Sequence, residues 1–128
     1  MRQKTILLIA SLLGGLSVAI GAFGAHGLRE TLEASGRTGT FETAVEYQFY
    51  HALALLAIGA LMGNIHHKLI EWAAYAILCG IFLFSGSLYA ISLAHVPSLG
   101  AITPLGGLFF IAGWTMLAAG VYRAKRRT

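Results

Sequence analysis

The stretch FETAVEYQFYHALALL, residues 41–56, decides how this chain is read. It begins as a polar, acidic helix and turns apolar within two turns, as a helix does where it enters a membrane from the interface. The transition carries Glu42, Glu46, Tyr47, Gln48, Tyr50 and His51, the densest set of ionisable and hydrogen-bonding side chains beside an apolar run in the sequence. The rest of the chain agrees. Of its 128 residues 57% are hydrophobic and only 11% charged, with mean hydropathy +0.74, against about 25% charged in an average soluble domain. So little polar surface does not coat a soluble globule. The class is therefore an all-α integral membrane protein, with residues 1–128 forming a single domain.

Working outward, four apolar runs predict four transmembrane helices in an antiparallel bundle, about 5–25, 45–63, 69–93 and 103–122. The first follows Arg2 and Lys4; a signal peptide is the rival reading, with Ala22-Phe23-Gly24 as a weak cleavage site, and a retained span is expected. Residues 28–40 are the only stretch that reads as soluble. Leu28 and Leu32 share a face there while Arg29, Glu30 and Glu33 point elsewhere, predicting a short interfacial helix between spans one and two, broken by Gly36 and Gly39. Thr40 suits the N-cap of the next helix, with Glu42 in its first turn. Asn64–Lys68 reads as a tight turn in which His66 and His67 are solvated loop residues, and Trp72 and Tyr75 fall where an interfacial aromatic belt lies. Thr103-Pro104 opens span four as N-cap and first helical residue.

The net charge of +4 does not point to nucleic acid, because the basic residues form no patch interleaved with aromatics. Arg2, Lys4, Lys68, Arg123, Lys125, Arg126 and Arg127 instead fall on one side of a four-span topology, and only Arg29 and Arg37 on the other. The positive-inside rule predicts a plasma (inner) membrane protein with both termini cytoplasmic. The single Cys79 leaves neither an internal disulfide nor a CxxC site.

That topology gathers the unusual residues at the outer ends of all four spans: His26, Tyr47, Gln48, His51, Ser85, Ser87 and Tyr89, with Glu46, Tyr50 and His95 as lesser members. Gly21 and Gly24 on span one and Gly106 and Gly107 on span four are read as helix-packing positions. Glu46 and His51 stand roughly 140° apart around a helix of about 100° per residue. A Tyr47/His51 face turned inward therefore leaves Glu46 and Tyr50 on a flank. His51 is expected as a neutral imidazole with a hydrogen-bond partner, and His26 as its companion.

The segments GAFGAHGL (21–28), EYQFYHALALL (46–56), LFSGSLYAISLAH (83–95) and TPLGGLFFIAGW (103–114) touch all four spans in order. As a set they resemble the domain-of-unknown-function 423 family of small membrane proteins, related to transmembrane protein 256. The resemblance implies four spans and no established activity. Its recurrent pattern falls on Gly21, Gly24, His26, Gly27, Tyr47, Gln48, His51, Ser85, Gly86, Ser87, Tyr89, Thr103, Pro104, Gly106, Gly107 and Trp114, and leaves Glu46 and His95 outside.

Three functional readings follow. In the first the chain is a structural or assembly protein, either a homo-oligomer or part of a larger membrane complex, whose outer cluster locks its helices. In the second His26 and His51, with His95, hold a haem, a metal ion or a quinone head group. The third is a homo-oligomeric transporter titrating at Glu46 or His51. The sequence itself requires no cofactor, and no nucleophile–base pair or acidic dyad marks an enzyme.

Overall fold

A computed structural model describes residues 1–127. In chain order it contains α1 (Gln3–His26), α2 (Arg29–Ser35), α3 (Thr38–Leu61), β1 (Ile65–His66), α4 (Lys68–Gly80), a π-helical turn (Ile81–Ser85), α5 (Gly86–Ala94), a 3-10 turn (Pro97–Ala101), α6 (Thr103–Arg123) and β2 (Lys125–Arg126). Helix α4, the π-turn and α5 run on as one span, Lys68–Ala94, so four helical segments are long and apolar enough to cross a membrane. The expected all-α, four-span architecture with an interfacial helix is what is found.

Helix α1 packs on α3, and α6 packs on the third span; α3 and the third span meet in the middle. The core between them is built from Ile6, Ala10, Leu55, Ile58, Ile70, Ile77, Ile81 and Phe110. Glycines set the outer seams. Gly106, Gly113 and Gly120, each seven residues after the last, face Phe84, Ile77 and Ile70, each seven residues before the last. The reversed order is that of antiparallel helices, and the seven-residue period is that of left-handed packing. A methyl at Gly113 would stand 2.6 Å from Ile77 Cγ1, and one at Gly120 2.8 Å from Ile70 Cγ1. At Gly106 it would meet the Phe84 backbone itself, in the π-turn. On the other flank Gly24 lies beneath the Phe41 ring.

The opposite end of the bundle is tied by polar contacts. β1 pairs antiparallel with β2, Ile65 opposite Arg126 and His66 opposite Lys125, and the Arg127 amide donates to the Asn64 carbonyl at 2.8 Å. Gln3 Nε2 donates to the Gly59 carbonyl, and the Met1 amine to the Tyr75 hydroxyl, each at 2.8 Å. Both ends of the described chain thus lie at one end of the bundle.

Several local expectations are corrected. Thr40 is no N-cap: α3 begins at Thr38 after Arg37, which places Glu42 beyond its first turn. Gly39 lies inside α3, and only Gly36 ends α2, in the left-handed conformation with φ 68°. Thr103 is the first residue of α6, not its cap, and Pro104 the second; its hydroxyl is used elsewhere, as described below. His67 is more than a solvated loop residue, since its Nδ1 accepts the Leu69 amide at 3.1 Å and caps α4.

Candidate functional site

At the end of the bundle away from the paired strands, the polar residues converge on α3. The face of this helix that turns inward is Ala44, Gln48, His51, Leu55 and Ile58, all buried. Its polar members are Gln48, 3% exposed, and His51, 5% exposed, three residues apart and so on one side. Tyr47 is 37% exposed and sits on the rim, its ring stacked 6.0 Å from that of His51. The inward face is thus Gln48/His51, with Tyr47 covering its edge. Glu46 and Tyr50 do lie on the flank, Tyr50 52% exposed.

Gln48 is a hub between three spans. Its Nε2 donates to the Leu13 carbonyl of α1 at 3.0 Å, and its Oε1 accepts the Tyr89 hydroxyl of α5 at 2.6 Å. Antiparallel geometry makes this meeting easy. Side chains lean toward the N-terminus of their own helix, so Gln48 and Tyr89, on helices of opposite direction, lean toward each other. Tyr89 also meets the Phe41 ring edge-on at 5.8 Å.

Ser85 closes the π-turn. The turn carries an i→i+5 bond from the Gly86 amide to the Ile81 carbonyl, and within it the buried Ser85 hydroxyl donates to the Ala44 carbonyl at 2.8 Å. A π-turn adds one residue to a helical turn, and such turns mark helices bent to a purpose. Here the turn also presents its backbone to Gly106. Just beyond it, Ser87 bonds the Phe84 carbonyl at 2.9 Å and shares a 2.6 Å bond with the Thr103 hydroxyl of α6. That use of Thr103 explains why it does not cap its own helix.

His51 is held on both sides. Nδ1 lies 2.8 Å from the Tyr47 carbonyl, and the Trp114 indole N–H donates to Nε2 at 3.1 Å. An indole N–H is a donor only, so Nε2 is the unprotonated nitrogen and Nδ1–H donates to the carbonyl. The ring is the neutral Nδ1–H tautomer, stacked on Phe110 at 3.6 Å and 12°. A partnered, neutral imidazole is as the sequence suggested; its partner is Trp114, not His26.

The remaining candidates lie outside this network. His26 ends α1 with an exposed side chain, and His95 caps α5 in the left-handed conformation with φ 55°, likewise exposed. Neither is hydrogen-bonded to His51, whose two nitrogens are taken. Gly21 approaches Val45, where a Cβ would come within 3.1 Å, whereas a Cβ at Gly107 would meet only the Phe84 ring at 3.9 Å. Of the two neighbouring glycines of α6, Gly106 alone is demanded by packing. Arg37 was missed as a contributor: its Nη1 donates to the Ile91 carbonyl at 3.0 Å, fastening the start of α3 to the end of α5. Among the described residues no buried side-chain nitrogen or oxygen lacks a partner.

Sequence comparison places this arrangement. The profile described as "Protein of unknown function (DUF423)" matches residues 20–107, the span that contains Gly24, Gln48, His51, Ser85, Tyr89 and Gly106. The chain belongs to the DUF423 family. A UPF0382 membrane protein of Staphylococcus saprophyticus is 42% identical over 121 residues, covering 94% of this chain and 99% of that one. The UPF0382 inner membrane protein YgdD of Escherichia coli is 38% identical over 127 residues, 99% of this chain and 96% of its own. No solved structure matches. This DUF423 protein is thus a multi-pass membrane protein of a family whose description states no activity.

Proposed function

We propose that the outer polar cluster is an interhelical lock and that this DUF423 protein serves as a structural and assembly component of the inner membrane, with both termini cytoplasmic. The observation that carries the reading is the closure of the cluster: Gln48, His51, Ser85, Ser87 and Tyr89 spend their hydrogen bonds on one another, on Thr103, on Trp114 and on backbone carbonyls of their own and neighbouring helices. In hydrocarbon such bonds replace the water that polar groups would otherwise need. A ligand at His51 would first have to displace Trp114 or the Tyr47 carbonyl. A proton pathway through His51 meets Phe110 on its face and Leu55 and Ile58 further along the same helix face.

The faces open to assembly are those the lock leaves outside. Leu12 on α1 and Ile111 on α6 are exposed on the two outermost spans, and their faces meet lipid or a neighbouring protein. The orientation is supported by the distribution of Lys and Arg. Photocrosslinking residues placed at Leu12 and Ile111 in living cells test the assembly reading. A discrete protein adduct of reproducible mass, to a second copy or to one partner, is expected; lipid adducts alone from both positions would refute it.

A further inference from the structure

The flank of α3 turned away from the lock is not featureless. Between the outer end of α1, helix α2 and the start of α3 lies a cleft of about 460 Å³ edged by Arg29, Glu33, Glu42 and Glu46. Below it a second hollow of about 400 Å³ is lined by Val18, Ala22, Val45, Phe49 and Tyr50. The two share Gly21, Val45 and Glu46, so they form one groove with a charged head and an apolar tail. Each part has the volume of an ordinary small-molecule site. Val18 is 62% exposed, so the tail opens sideways, toward where the acyl chains of a bilayer lie.

The head carries both signs of charge. Arg29 Nε is held by Glu33 Oε1 at 3.0 Å, and no hydrogen bond engages its two Nη groups among the described residues. Glu42 and Glu46 likewise make no side-chain hydrogen bond or ion pair there. Three carboxylates against one guanidinium repel a lone phosphate, yet the free face of Arg29 suits one when an ammonium accompanies it. Primary ammonium groups offer N–H donors to carboxylates, which a quaternary ammonium lacks.

We propose that this groove binds one phospholipid whose head group joins a phosphate to a primary amine, a phosphatidylethanolamine-type lipid. Its ammonium sits between Glu42 and Glu46, its phosphate on the Nη groups of Arg29, and one acyl chain lies along Val18, Ala22 and Phe49. Gly21 and Gly24 of α1 line the head beside Val45 and Phe41 of α3, and their lack of side chains lets the two helices close together along it. Glu42, Glu46 and Phe49 stand on a different face of α3 from Gln48 and His51, and Phe41 touches both the groove and the lock.

Native mass spectrometry of the full-length protein in mild detergent tests it, with phosphatidylethanolamine, phosphatidylcholine and phosphatidylglycerol of matched acyl chains offered in competition. One retained ethanolamine lipid per protomer is expected, preferred about tenfold over the other two, as the loss of a charge-assisted hydrogen bond implies. The E42Q/E46Q variant should lose that preference while keeping the wild-type melting curve. Equal retention of all three lipids, a preference for phosphatidylglycerol, or an unchanged preference in the folded double variant would overturn the assignment. Phosphoethanolamine without acyl chains should fail to compete at the same concentration. Equal competition would show that the apolar half is unused and would also overturn it. The Val18→Trp variant, altered at an exposed position of the tail, should weaken retention of the lipid; undiminished retention would count against the acyl-chain placement.

Discussion

Replacing Tyr89 with phenylalanine deletes one hydroxyl from the lock and leaves the ring against Phe41 in place. The lost contact is the 2.6 Å bond to Gln48 Oε1. Side-chain hydrogen bonds within membrane helices average about 0.6 kcal/mol and reach about 1.7 kcal/mol. Gln48 is 3% exposed, so no lipid head group or water readily replaces the donor, and a cost of about 1–2 kcal/mol is expected. Gln48→Leu removes two bonds and leaves the Tyr89 hydroxyl unmatched, while the Leu13 carbonyl keeps the Ser17 hydroxyl at 2.8 Å, and should cost about 2 kcal/mol. Because one bond is common to both variants, the double variant should be milder than additivity by about 1 kcal/mol. Equilibrium unfolding of all four proteins by SDS in mixed micelles, followed by helicity, measures the cycle. Additivity to within about 0.3 kcal/mol, the scatter of non-interacting sites, would refute the hub role of Gln48.

Other consequences are open to the same unfolding assay. Gly106→Ala drives a methyl into the Phe84 backbone and should cost about 1–3 kcal/mol. Gly107→Ala has room, with its nearest neighbour 3.9 Å away, and should be neutral or stabilising by up to about 1 kcal/mol. Gly36→Ala forces a side chain into φ 68° and should cost about 1 kcal/mol, whereas Gly36→Asn should cost less because asparagine tolerates the left-handed region better. For orientation, a green fluorescent protein fused after the last residue should fluoresce, and alkaline phosphatase inserted in the 95–101 loop should be active; the reverse pattern would place the termini outside.

The spans were legible in the sequence because a membrane imposes one strong rule, a long uncharged run, and the seven-to-two division of basic residues pairs their ends. Helix starts were less legible. Thr40 and Thr103 look like caps in isolation, but the helices start after Arg37 and Ile102, and Arg37 and Thr103 spend their side chains on Ile91 and Ser87 of the third span. Gln48, His51, Ser85, Ser87 and Tyr89 were visible as a set; Arg37 was not, nor was the pairing of any of them across helices. Trp114 lies 63 residues from His51, and periodicity within a single helix carries no information about which residue of another helix stands opposite. The same limit set the inward pair as Tyr47/His51 where it is Gln48/His51, since adjacent residues on a helix differ by only about 100°. The heptad of Gly106, Gly113 and Gly120 was present as a spacing yet went unread, being spread through an apolar run. Two-residue strands such as β1 and β2 have no pattern to detect.

The lock turns on His51, held by the Tyr47 carbonyl and the Trp114 indole. Nitrogen NMR of the imidazole, in full-length protein reconstituted into lipid nanodiscs, tests this most directly. The expected spectrum is that of a neutral ring protonated at Nδ1, with Nε2 coupled through a hydrogen bond to the Trp114 indole and that coupling lost in Trp114→Phe. A ring protonated at Nε2, or one whose nitrogens carry a metal or another bound group, would contradict it.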